Sequence, residues 1–191
     1  MQRMQCWCSG YRLCQGKRVV TVWNSSGSIR WGARQLDRPL IHQWLQRARL
    51  EQDPAAKFVF SFIVLNHYYS AAAAQRATRL RTERDEMIAL QELPILKSRW
   101  PVLAKTADLG KLEVSLPLRD RAGRDVPDGF AADTYRAAQL SLRDCLSVVY
   151  QLRCNLFHAV SRPTETVGNV GIRFAAAVSY ALAESLVSET T

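Results

Sequence analysis

Residues 53–74 place the strongest constraint on what this chain can fold into. Asp53-Pro54 reads as a helix start, with the Asp side chain able to cap free amides and Pro suited to the first helical position. Behind it, Phe58, Phe62, Leu65, Tyr69 and the alanines up to Ala74 leave the helix apolar on most sides, a pattern that extends toward Leu80. A helix of that kind is stable only when other elements surround it, so it predicts a central core helix. Asn66 and His67 interrupt the run. A buried polar side chain costs roughly 1–3 kcal/mol unless it is partnered, so Asn66 is expected to bond to a neighbouring helix or to face a cleft.

Further apolar periodicity supplies the surrounding elements. Tyr135, Ala138, Leu142, Cys145, Val149, Leu152, Leu156 and Val160 recur at spacings of three and four, predicting one long helix capped by Asp133 or Thr134 and ended by Pro163. Phe174, Val178, Ala181, Leu182 and Leu186 predict a last amphipathic helix after a polar turn over 161–171. Residues 76–92 are charge-dense and read as a solvated helix face, with Met87, Ile88, Leu90 and Leu93 on the inner side and Pro94 closing it. Residues 97–129 hold Pro101, Gly110, Pro117, Gly123, Pro127 and Gly129. They read as a long connection with an extended piece, a turn and one short helix near 100–107. Arg119, Arg121 and Arg124 in it are either RNA contacts or plain surface, the latter being the favoured account.

The 191 residues suit one domain with a core of its own, divided here into a basic N-terminal extension, 1–52, and a helical domain, 53–191. Nine Lys or Arg stand against three Asp or Glu in residues 1–54, so most of the net +9 lies there. That sign favours polyanionic partners, RNA first and an anionic membrane second. Within the extension, 19–23 suits a short strand, 24–28 a turn, and Leu40, Ile41, Trp44, Leu45 and Ala48 a helical face able to pack on the domain. Trp23, Trp31 and Trp44 among basic residues are either a stacking surface for RNA or inward-packed rings beside solvated arginines. The plainer alternative is favoured.

Cys6, Cys8, Cys14, Cys145 and Cys154 are odd in number and lack paired C-x-x-C spacing, which argues against a disulfide framework and against a metal site. No secretory signal is visible, and the apolar run 58–74 is short, interrupted and followed by Arg76, Arg79 and Arg81, so a buried helix is expected there and no membrane span. A cytoplasmic protein without cofactors is the expectation.

The compact chemical signal is Val148 onward, V-V-Y-Q-L-R-C-N-L-F-H-A-V, which sets Arg153, Asn155 and His158 on otherwise apolar helical sequence. Arg153 and His158 are five apart, about 140° around a helix, while Asn155 and His158 are neighbours on one face. An always-charged guanidinium matches phosphate oxygens, and an imidazole titrates near neutrality, so the pair could cleave RNA without a metal. The plainer alternative is a histidine that complements a helix C-terminus.

The stretch Y-Q-L-R-C-N-L-F-H, 150–158, resembles the signature of the HEPN superfamily, an Arg followed after four to six residues by His. F-V-F-S-F-I-V-L-N-H-Y-Y, 58–69, is similar to that family's first long helix. The likeness runs from about Asp53 to the C-terminus. It implies an all-α, up-down bundle of four to five helices that pairs with a second copy, and a metal-independent endoribonuclease of toxin–antitoxin or phage-defence type. Arg153 and His158 would then be catalytic and Asn155 a polar helper, with Asn66 near the site as a second supporting residue. A cognate antitoxin is a further implied partner. Ala159, Val160 and Ser161 stand where relatives often carry Gly and a basic residue, which supports the alternative of a catalytically weak RNA-binding or partner-binding module.

Overall fold

The computed structural model describes residues 36–74, 82–120, 122–157 and 166–189. Asp53 caps the central helix as expected: its Oδ1 accepts from the Ala56 amide at 2.8 Å and its carbonyl from the Lys57 amide at 2.9 Å. The helix, α2, runs Pro54–Ala74, while α1, Arg38–Leu50, precedes it. Phe58, Phe62, Val64, Leu65, Tyr68, Tyr69 and Ala71 are all buried, which spreads burial around α2. The basic segment thus contributes a packed helix, in which Ile41 and Ala48 are buried and Trp44 stacks on Phe60 with ring centres 5.6 Å apart.

The last helix, α6, Thr166–Glu189, makes the most extensive contact with α2. Phe174, Val178, Leu182 and Leu186 are buried as their spacing requires, and Tyr68 donates its hydroxyl hydrogen to the Leu186 carbonyl at 3.2 Å. Helix starts at Thr166, so the polar turn expected over 161–171 does not reach its stated end. Gly171 lies within that stretch and leaves room for the helix carrying Leu152: a Cβ on it would come within 3.0 Å of Leu152 Cδ2. The smallest residue lets the two helices approach closely.

Charge-dense sequence after residue 81 folds as α3, Glu83–Ile88, followed by a 3-10 turn, Ala89–Glu92. Thr82 caps it reciprocally with Asp85, whose carboxylate accepts from the Thr82 amide at 3.1 Å while the Thr82 hydroxyl accepts from the Asp85 amide at 3.1 Å. Pro94 closes this unit and also opens α4, Pro94–Leu103, where Trp100 is buried and donates its indole N–H to the Leu140 carbonyl.

The expected long helix from Tyr135 is the main correction. Residues Asp133–Arg136 form a strand, β4, paired antiparallel with β1, Glu113–Leu116, with Val114 opposite Tyr135. Two shorter strands, β2, Leu118–Arg119, and β3, Asp125–Val126, pair beyond them, and a 3-10 turn, Ala137–Gln139, holds Ala138. Helix α5 begins only at Leu142 and runs to Phe157. Its start is set by Ser141, whose hydroxyl accepts from the Asp144 amide at 3.2 Å and whose carbonyl accepts from the Cys145 amide at 3.0 Å. Asp133-Thr134-Tyr135 prefers an extended backbone once a partner strand is present. That partner lies about twenty residues upstream, beyond the reach of any local pattern.

Six α-helices and four short strands among the described residues make the protein mostly helical. The buried core runs through all six helices and reaches Val114 and Leu116 of β1. Residues 19–23, Trp23 and Trp31, Cys6, Cys8 and Cys14, the continuation of α2 toward Leu80, and His158 lie outside the described residues.

Candidate functional site

Arg153 sits one turn from the end of α5, with Tyr150 three residues before it and Phe157 four after, so the three share a face. That face looks onto α2, where Phe62 and Tyr69 are seven apart and lie on one stripe. The first residue of α3, Glu83, completes the group. Its position is fixed by the Thr82 cap immediately before it.

The carboxylate of Glu83 joins the three helices. Tyr69 donates to its Oε1 at 2.6 Å, Tyr150 donates to its Oε2 at 3.3 Å, and Arg153 Nη1 lies 3.5 Å from the same Oε2. The guanidinium also lies over three rings, 5.3 Å from the centre of Phe157, 5.5 Å from Phe62 and 6.0 Å from Tyr150. Each such contact adds attraction between a cation and a ring face. The Arg153 side chain is 19% exposed, and its Nε is buried without a hydrogen-bond partner among the described residues.

Burial, the largest single influence, opposes the charge on Arg153, and Glu83, Cys154 and Tyr69 together more than offset it, leaving the guanidinium more firmly protonated than usual. Tyr69 is pushed above the usual phenol range by burial first and then by its bond to Glu83. Tyr150 moves the same way, through burial, the neighbouring Cys154 and Glu83. Both hydroxyls, protonated at neutral pH as any phenol is, act as donors to Glu83. The result is a protonated, ring-lined guanidinium held at the rim of the fold, suited to an anion.

The other sequence-derived candidates are placed differently. Asn155, two residues from Arg153 and so about 200° away around α5, is buried, and its Oδ1 accepts from Gln151 Nε2 at 2.7 Å. Gln151 also donates to the Arg119 carbonyl at 3.2 Å, tying α5 to β2. Asn66 is exposed and accepts from the Ser70 hydroxyl at 3.0 Å, which removes the burial cost expected for it. It shares its stripe of α2 with Phe62 and Tyr69, so it opens to solvent on the side of the Arg153 group. His67 is half-buried, and that burial lowers its pKa against the opposing pull of Asp37.

Glu83, Tyr69 and Tyr150 were not foreseen as partners of Arg153. Thr82-x-x-Asp85 is a helix-start signal that would have placed Glu83 at a helix N-terminus, but its contact with a residue seventy positions away has no local trace. Arg119 pairs with Asp125 at 2.8 Å and Arg124 with Asp120 at 2.7 Å, both at the surface. A separate open depression of about 230 Å³ lies by Trp100, Pro101, Ser141 and Arg143, where Lys97 is neutralised by Glu92 at 2.8 Å. Its polar lining, Gln91, Glu92, Lys97, Ser141 and Arg143, lies apart from the Arg153 group.

Among the described residues no three His, Cys, Asp or Glu side chains converge as a metal site. Cys145 and Cys154 are free thiols, and burial pushes Cys145 well up. Among the described residues the helix that satisfies the length and apolarity of a membrane span is Val170–Glu189, not the 58–74 run, and 67% of its apolar window is buried in the fold. Burial of that order is what a core helix shows. No protein-family model, curated protein or solved structure matches the chain.

Proposed function

We propose that the chain is a metal-independent endoribonuclease of the HEPN type, an up-down helical bundle acting as a homodimer in the cytoplasm through Arg153 and His158. The observation that carries the reading is the guanidinium of Arg153, paired with Glu83 and lined by Phe62, Tyr150 and Phe157 near the end of α5. His158 follows it by five residues in the sequence and is assigned from that spacing.

In this mechanism an imidazole removes the proton from the ribose 2′-hydroxyl, whose oxygen attacks phosphorus. A second imidazole, from the other protomer, protonates the departing 5′-oxygen, leaving a 2′,3′-cyclic phosphate. Arg153 stabilises the extra negative charge on the phosphoryl oxygens as it builds. A role as the toxin or effector of a toxin–antitoxin or phage-defence system, with an antitoxin as partner, accords with a basic chain of this size.

A binding module with weak or no cleavage is the second reading, favoured by Ala159, Val160 and Ser161 after the His and by the engagement of one Arg153 nitrogen with Glu83. Incubating the purified protein with labelled RNA in EDTA separates the two. Cleavage that is lost in both Arg153→Ala and His158→Ala supports the nuclease, and salt-sensitive binding without cleavage supports the module.

A further inference from the structure

Glu83 is more constrained than a carboxylate at the start of a six-residue helix needs to be. Both of its oxygens accept from tyrosine hydroxyls, one on α2 and one on α5, and it lies against the guanidinium. Its side chain is 35% exposed, so the carboxylate is at the rim of the group and is not enclosed by it.

We infer that Glu83, held by Tyr69 and Tyr150, is a positioning residue that fixes the Arg153 guanidinium to receive an RNA phosphate. The inference rests on the ribonuclease reading and adds to it a residue outside the Arg/His pair. Arginine has five N–H donors in a rigid plane. Among the described residues the Arg153 Nε is buried and unpartnered, Nη1 lies toward Glu83 and Cys154 takes a further side-chain hydrogen bond, which leaves a phosphate only the donors that remain. A guanidinium plane held on one side by a carboxylate and on its faces by rings loses few rotamers when it binds.

The contact geometry favours positioning over blocking. Nη1 and Oε2 are 3.5 Å apart, at the outer limit of a hydrogen bond, so Glu83 offers Arg153 its charge without a short bidentate grip. A phosphate that makes two short bonds would not have to displace it. The two phenols, each donating to a different oxygen, keep the carboxylate from swinging to solvent.

The test uses the full-length protein and single-stranded RNA in EDTA. Expected for Glu83→Gln is a fall in kcat of at least tenfold with KM within about threefold, and partial recovery in Glu83→Asp, which restores the charge. Nitrogen-15 spectra of the Arg153 side chain should show slowed guanidinium rotation in the wild type and faster rotation in Glu83→Gln. The double variant Tyr69→Phe with Tyr150→Phe, which keeps the carboxylate, should lie between wild type and Glu83→Gln in both measurements. Cleavage and guanidinium signal unchanged in Glu83→Gln would overturn the positioning role while leaving the nuclease reading intact. Equal kcat losses in Glu83→Gln and Glu83→Asp, accompanied by a lowered Tm in both, would also overturn it, because they mark a structural residue. A wild type that does not cleave defeats the nuclease reading instead. In that event the guanidinium signal alone decides whether Glu83 holds Arg153.

Discussion

Helix α5 carries polar groups on two opposite sides, and they are built on different plans. On one side Gln151 and Asn155 bond to each other and to the Arg119 carbonyl, a neutral network shut inside the fold. On the other, Arg153 is charged, lined by rings, loosely paired with Glu83 and left with an unpartnered Nε. A closed neutral network contributes stability and a fixed register for β2 against α5. A charged group with donors left over is poorly explained by stability alone, because a partly satisfied buried charge costs more than an apolar replacement. The difference is the contrast on which the proposed ribonuclease reading rests.

The sharpest way to break that contrast is to remove the charged side. Arg153→Ala and His158→Ala should each lower RNA cleavage by at least about a hundredfold, in line with the loss of a general acid–base or charge-stabilising group, while the helical circular dichroism persists. If wild-type cleavage follows a bell-shaped pH profile around neutrality, two imidazoles share the work; a flat rate from pH 5 to 9 would count against them.

A second effect separates the sides by alkali. Tyr69 and Tyr150 have pKa values raised in the folded state above the ordinary phenol value of about 10, first by burial. The folded protein then holds protons that the unfolded chain releases, so their contribution to stability is complete below pH 10 and declines as pH rises beyond it. Denaturant midpoints measured from pH 9 upward should fall. Tyr69→Phe should flatten that decline, because one of the two ionisable groups is gone. An unchanged slope would mean that Tyr69 is not buried against Glu83.

The closed side gives the complementary result. Gln151→Ala removes the amide that bonds to Arg119 and leaves the buried Asn155 oxygen without its donor, at a cost of about 1–3 kcal/mol in urea unfolding. Cleavage per folded molecule should stay within twofold of wild type. A large loss of cleavage at unchanged stability would erase the distinction between the two sides of α5.

The parts of this architecture that could be read from the sequence are those whose causes are local. Asp53-Pro54 announces α2 because capping needs only the next three residues, and the spacing of Phe174, Val178, Leu182 and Leu186 announces α6 because one face of a helix repeats within a turn. Arg153 was legible for the same reason, as part of a short spaced motif. The β1–β4 pairing was not, since Val114 and Tyr135 meet only after the chain between them folds back. Nor was the tie from Glu83 to Tyr150 and Arg153, where an exposed-looking charge run hides a residue that faces inward. Asn155, a polar helper by the family resemblance, is buried and bonded to Gln151, a contact set by packing around α5.

The smallest expected effect tests where α5 begins. If the apolar stripe from Tyr135 were helical, Thr134 or Asp133 would be its cap. In the fold, Thr134 is an exposed strand residue opposite Ser115, and Ser141 holds the amide of Asp144. Ser141→Ala should therefore destabilise the protein by about 1 kcal/mol, the usual loss of a helix N-cap. Thr134→Ala, on an exposed strand, should cost about 0.5 kcal/mol or less. The reverse ranking in urea unfolding would move the helix start back to the strand. It would also place helix where the 3-10 turn Ala137–Gln139 now stands.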